Sequence, residues 1–154
     1  MKLANSIGIR VFSKDGEDDE KIVEMLKQLV PFDYETEKIK LEIQNATGFN
    51  EMKIKIYTIL LEKERHTRKF LELLIERLAK EQKELLLRQK ESRLNGQLNF
   101  YLRLDKEKLL AGEYWITDFG NCYHITISIA AFPRKREVAL HIIEKLLEIN
   151  LQEN

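Results

Sequence analysis

An aromatic ring, an amide and a guanidinium alternate with apolar side chains in the stretch QLNFYLRLDKEKLLAG at 97–112. Those residue types in that order suit the reading of a polyanion. Leu98, Phe100, Leu102 and Leu104 point one way, while Gln97, Asn99, Tyr101 and Arg103 point the other, which is the period of a half-buried strand. Arg103 and the following Lys106 supply the sequence-independent attraction for phosphates, and Tyr101 offers a face on which an unpaired base can stack. Lys53 and Lys55 on another alternating segment, with Tyr57 beside them, and the triplet Arg134-Lys135-Arg136 at the start of a predicted helix, extend the same chemistry. Asp105 is placed to cap a short helical turn that Gly112 ends.

Other chemistries fit less well. Cys122 and His124 share a strand face, but a nucleophile and its base normally come from different elements, and no Asn or Asp is placed to orient the imidazole. A hydrolytic accessory role through His124 is the weakest of the readings considered. His66, His124 and His141 fall on three predicted elements without paired-ligand spacing, so no metal or other cofactor is expected. Asp118-Phe119-Gly120 stands without the glycine-rich and catalytic loops of a kinase and reads as a turn. Gly48 in NATGFNE lacks the Lys-Ser/Thr of a phosphate loop. The expectation is a protein that is not an enzyme.

The elements that must hold these residues follow from hydrophobic period. Alternation predicts a strand over 4–13, and acidic residues at 15–20 open a helix whose stripe runs from Ile22 to Val30 before Pro31. Strands are predicted over 34–43, with Ile39, Leu41 and Ile43 inward, and from Lys53, with Ile54 and Ile56 inward and Lys53, Lys55 and Tyr57 outward. One long helix is predicted over 64–93, with a break near Lys80–Lys83 admitted by its length. Further strands are expected at 97–104, 113–117 and 122–132, then a last helix after Pro133. The order β-α-β-β-α-β-β-β-α implies a single α+β domain over 1–154, a largely antiparallel sheet with helices on one face. The other face would then carry Arg10, Lys38, Lys40, Lys53, Lys55, Tyr57, Asn99, Tyr101, Arg103, His124, Thr126 and Ser128.

The chain has 154 residues, 44% hydrophobic and 34% charged, with 26 basic and 26 acidic side chains. That length supports a core without disulfides or metal. Charge is uneven: residues 1–52 hold 7 Lys/Arg against 11 Asp/Glu, residues 53–93 hold 12 against 7, and residues 94–154 hold 7 against 8. A neutral protein with a basic middle binds phosphate locally, not through a global field. One cysteine, no apolar run of spanning length and no signal-like start make the cytoplasm the expected location, with no membrane partner. The helix at 64–93 supports an alternative reading, a protein-interaction or homodimerisation module, because about thirty helical residues (roughly 45 Å) overhang strands of roughly 25–35 Å.

The runs FYLRLDKEKLLAGEYWI (100–116) and YHITISIAAFPRKRE (123–137), with IRVFSKDGEDDEKIVEML (9–26), resemble an archaeal family of predicted RNA-binding proteins described as exosome-related. Phe100, Leu102, Arg103, Leu104, Asp105, Lys106 and Gly112 fall on the family's pattern, and Phe132-Pro133 on its last helix start. The chain departs from it in the loop at 45–52, where Thr47-Gly48-Phe49-Asn50-Glu51-Met52 lacks a His and a Pro, and at Glu107, where Gln is usual. The resemblance implies a fold similar to the large-subunit ribosomal protein that binds 5S rRNA. It also implies RNA as the partner, a role accessory to RNA processing or degradation, and exosome-associated proteins as further partners.

Overall fold

The strand β1 (Ala4–Lys14) lies at the centre of a five-stranded sheet, and its alternation divides the molecule into a covered and a free side. Ile7, Ile9 and Val11 are fully buried, while Gly8, Arg10 and Phe12 occupy the opposite side. The computed structural model describes residues 2–151. After β1 come α1 (Asp19–Leu29), β2 (Leu41–Thr47), β3 (Lys53–Leu61), α2 (Glu64–Arg77), α3 (Lys80–Arg88) and α4 (Lys90–Arg93). Then follow β4 (Asn99–Asp105), α5 (Lys106–Leu110), β5 (Cys122–Ile129) and α6 (Arg136–Leu151). The strands lie in the order β2-β3-β1-β5-β4, and every neighbouring pair is antiparallel. The α+β class read from the sequence is the class observed.

One continuous core forms between the sheet and the helices. Tyr57, Ile59 and Leu61 from β3, Phe100, Leu102 and Leu104 from β4, and Tyr123, Ile125, Ile127 and Ile129 from β5 meet Ile22 and Leu26 of α1, Phe70, Leu71 and Leu74 of α2, and Ile143 and Leu147 of α6. Local signals start these helices as expected. The Asp18 carboxylate accepts from the Lys21 amide at α1, and the Asp105 carboxylate accepts from the Lys108 amide at α5. Gly112, at φ +90°, takes the left-handed conformation that ends α5, its N–H reaching the Leu109 carbonyl.

Four expectations are corrected. Residues 34–38 form a turn, not a strand, because the Asp33 carboxylate accepts from the amides of Glu35 and Thr36 and Lys38 sits at φ 56°. The expected strand at 113–117 is reduced to a single bridge between Ile116 and Leu104, so the sheet has five strands rather than six. The 64–93 segment is three helices. Leu78 and Ala79 are extended (ψ 129° and 156°), and after this break the Gln82 side chain accepts from the Ile116 amide at 2.6 Å. Of the expected stripe, Phe70, Leu71, Leu74, Leu78 and Leu86 are buried in the core and Leu85 is half-buried.

The fourth correction inverts β3. Ser13 lies opposite Lys55, Val11 opposite Tyr57 and Ile9 opposite Ile59, so Lys53, Lys55 and Tyr57 belong to the helix side. Ile54, Ile56, Thr58 and Leu60 take the free side instead. The reason is register. A period of two carries the buried set of the longer run Tyr57–Leu61 back through Lys55 and Lys53, which lie at the margin of the helical layer. There the Lys55 ammonium meets the Asp19 carboxylate at 3.7 Å.

Lys106 ties the two sides of the fold together. Its side chain is 4% exposed, and Nζ donates to the Phe12 carbonyl at 2.7 Å and to the Glu17 carboxylate at 3.0 Å. Burial alone would push the Glu17 carboxyl up, but the Lys14 amide and the Lys106 ammonium hold it below the ordinary carboxylate value. Removing the ammonium strands that carboxylate, so Lys106→Ala is expected to cost about 3 kcal/mol in urea unfolding at pH 7. Because the Glu17 value is depressed on folding, the wild-type advantage is present above the ordinary value of 4.5 and lost as pH falls through the folded value. A variant whose stability equals wild type at pH 7 contradicts this assignment.

Candidate nucleic-acid interface

The free side of the sheet is built in rows by strand register. One row runs Glu42–Thr58–Arg10–His124–Arg103 across β2, β3, β1, β5 and β4. The next runs Leu60–Gly8–Thr126–Tyr101, and beyond it lies Ser6–Ser128–Asn99. Phe12 stands above Arg10 on β1. Adjacent strands are about 4.8 Å apart, so Arg10 and Arg103 flank His124 at about 10 Å from each other. Over β1, β5 and β4 this side carries no carboxylate except Asp105 at the strand end, whose oxygen is committed to the Lys108 amide.

Charge on this face is unspent. Arg65 is paired with Glu37, Arg68 with Glu64 and Arg93 with Asp118. Among the described residues neither Arg10 nor Arg103 has a carboxylate within 4.0 Å. Arg10 instead lies 5.5 Å from the centroid of the Phe12 ring, and the Phe12 and His124 rings are 5.9 Å apart. Burial, then the charges of Arg10 and Arg103, hold the His124 imidazole below its ordinary value, so it is neutral at pH 7. Cys122 Sγ is 3.4 Å from His124 Nε2, but burial pushes the thiol up against the pull of Arg103 and Lys106. An activated thiolate–imidazolium pair needs both shifts in the opposite directions. The arrangement suits binding of anions better than nucleophilic attack. Among the described residues no group of three or more His, Cys, Asp or Glu is arranged to hold a metal ion.

The sequence-derived candidates separate in space. Tyr101 and Arg103 are on the free face, and the Asn95 amide donates to the Tyr101 hydroxyl at 3.0 Å. Arg134 and Arg136 lie beyond the start of β4, where Arg134 donates to the Gln97 carbonyl and Arg136 to the Leu94 carbonyl, with Lys135 exposed between them. These five positions form one margin of the sheet. Lys106 does not join them, because its ammonium is buried against Glu17. Lys53 and Lys55 are on the other side, in a groove with Asp15, Glu17 and Asp19 where opposite charges cancel. Tyr57 is likewise no stacking ring: it is 3% exposed and its hydroxyl donates to Asp19. Lys38 and Lys40 lie before β2, outside the sheet.

Arg10 and His124 were legible as outward positions of their strands, but their adjacency to each other and to Phe12 was not. Only the pairing of β1 with β5 brings the three together, and no spacing within either segment encodes it.

Comparison with known proteins gives concordant matches. A family model described as RNA binding covers residues 6–131. An RNA-binding protein of Pyrococcus abyssi is 31% identical over 145 residues, 94% of this chain and 94% of that protein. Among solved structures, a DUF54 protein of Methanothermobacter thermautotrophicus superposes with a TM-score of 0.76 at 29% identity, over 94% of this chain and 98% of that one. A DUF54 protein of Archaeoglobus fulgidus gives 0.81 at 26%, over 94% and 99%.

A depressed imidazole has a measurable consequence. The unfolded chain takes up a proton near pH 6.5 while the folded chain resists it, so stability falls as pH drops below that value. His124→Asn is expected to flatten the loss of urea midpoint between pH 7 and pH 5. An unchanged pH profile contradicts the placement of His124 between two guanidiniums.

Proposed function

The chain belongs to the RNA-binding family, and from that premise we propose that it binds RNA on the free side of its sheet, where β1, β5 and β4 lie together. The observation that carries this is the row Arg10–His124–Arg103: two guanidiniums without carboxylate partners, on a surface whose nearby acids are already engaged, Asp105 by the Lys108 amide, Asp118 by Arg93 and Glu42 by Lys40. Arg10 and Arg103 contact phosphates, Tyr101 stacks, and Arg134, Lys135 and Arg136 continue the path past the start of β4. Lys53 and Lys55 contribute little, since Asp19 and its neighbours offset them. Lys106 acts through the fold.

The same geometry supports a binding protein rather than an enzyme, because the Cys122 and His124 shifts oppose activation. The Pyrococcus abyssi relative is itself named for RNA binding. A cytoplasmic role accessory to RNA processing or degradation, with exosome-associated proteins as partners and a likeness to the ribosomal 5S rRNA binder, rests on the resemblance of 100–116 and 123–137. Self-association through 64–93 has less support with Leu71, Leu74, Leu78 and Leu86 in the core, which leaves Leu73, Leu85 and Leu87 half-buried for it. No described helix is long and apolar enough to cross a membrane.

Salt dependence tests the assignment. For a single-stranded RNA, Arg10→Ala and Arg103→Ala are each expected to reduce the slope of log affinity against log salt by about 0.7, with a weaker affinity at low salt. Lys53→Ala with Lys55→Ala is expected to leave the slope unchanged. If the Arg10→Ala, Arg103→Ala double variant keeps wild-type affinity and slope, the phosphate contacts lie elsewhere.

A further inference from the structure

We propose that the RNA taken by this face is unpaired, with one base seated in the gap above Gly8 and its neighbour laid on Phe12 and His124, the phosphate between them held by Arg10. The proposal rests on the RNA-binding reading above and names the class of RNA. Its basis is the free side of β1, which reads Gly8, Arg10, Phe12: a gap, a cation and a ring in succession. Residues two apart on one side of a strand are about 6.7 Å apart, so the gap and the ring stand about 13 Å from each other with the cation midway. That is a spacing for two splayed bases about one phosphate, not for two bases stacked on each other.

The gap has defined borders. In the register Gly8 lies between Leu60 on β3 and Thr126 on β5, with Tyr101 next on β4. A side chain built on Gly8 would meet nothing within 4 Å, so the position is open space and not a site of close packing. Nor does Gly8 hold a positive φ that would require glycine. Leu60, a large apolar side chain 54% exposed, forms one wall, and the ring of Tyr101 the other. The floor supplies the Thr126 hydroxyl. Above Arg10 the Phe12 and His124 rings are tilted by 43°, so a base on one meets the edge of the other.

Depth decides between paired and unpaired RNA. Gly8, Phe12, His124 and Thr126 are half-buried among the exposed Arg10, Leu60 and Tyr101. In a duplex the base faces are consumed by stacking, and the surface presented is a ridge of phosphate and ribose. Such a ridge meets the projecting cations but cannot fill the gap or reach the rings. A single strand can turn its bases down into both.

The test compares a 12-nucleotide single-stranded RNA carrying 2-aminopurine with a 16-base-pair RNA duplex, using the full chain at several salt concentrations. Single-strand binding at least about 10-fold tighter than duplex binding is expected, with 2-aminopurine fluorescence rising on binding as the base leaves its neighbours. Gly8→Val fills the gap with a residue that favours strands. It is expected to keep or raise the urea midpoint while weakening single-strand binding by about 10-fold, with the salt slope retained. Phe12→Leu, which keeps apolar bulk but removes the ring, is expected to do likewise and to diminish the rise in fluorescence. A folded Gly8→Val that binds the single strand as wild type does, or a wild type that prefers the duplex, overturns the proposal and leaves RNA binding standing. Binding of neither RNA overturns both.

Discussion

The pairing of β1 along both of its edges fixes the side that every other residue of the sheet faces. An antiparallel partner repeats the alternation of the strand it meets, so the burial of Ile7, Ile9 and Val11 passes to Leu61, Ile59 and Tyr57 on one side and to Ile127, Ile125 and Tyr123 on the other. Moving β1 by one residue would bury Arg10 and expose a row of aliphatic side chains. The hydrophobic side of the sheet therefore enforces the composition of its opposite side. The row of Arg10, His124 and Arg103 exists because three strands are each held in register by what lies beneath them.

Lys106 shows how the same surface is kept cationic without spreading charge into the core. Its ammonium leaves the end of β4 and enters the fold to satisfy Glu17 and the Phe12 carbonyl. The Glu17 carboxylate beyond the end of β1 is thereby neutralised from within, and Arg10 has no acid within pairing distance among the described residues. On the far side of β1 the face turns apolar through Ile54, Ile56 and Leu60. Cationic and apolar halves meet at β1 itself. A flexible polyanion with aromatic bases has uses for both.

Much of this was legible in the residues, for reasons that also explain what was not. The strand at 97–104 announces its sides because leucine and phenylalanine alternate with polar groups, and the structure keeps Phe100, Leu102 and Leu104 in and Tyr101 and Arg103 out. In β3 the alternation Lys53-Ile54-Lys55-Ile56 pointed the wrong way, because near the strand's start the helical layer ends and either side can carry either type. Tyr57, Ile59 and Leu61, deeper under the helices, decide the register. The break at Leu78–Ala79 has no glycine or proline to signal it, and follows from tertiary demands on Leu78 and Gln82. Lys106 reads as a surface lysine because nothing local shows that Glu17, 89 residues earlier, needs a partner. The candidate site was half visible: Tyr101, Arg103, Arg10 and His124 as outward positions of their own strands, the adjacency of Arg10, Phe12 and His124 only through pairing.

The central claim is that the uncovered side of the sheet is the RNA surface, and mapping amide shifts during an RNA titration tests it most directly. In a two-dimensional proton–nitrogen spectrum, adding a single-stranded RNA is expected to shift the amides of Gly8–Phe12, Tyr101–Arg103 and His124–Ser128, with those of α1 and α2 unmoved. Shifts concentrated on the helical side, or around Lys53 and Lys55, contradict the account.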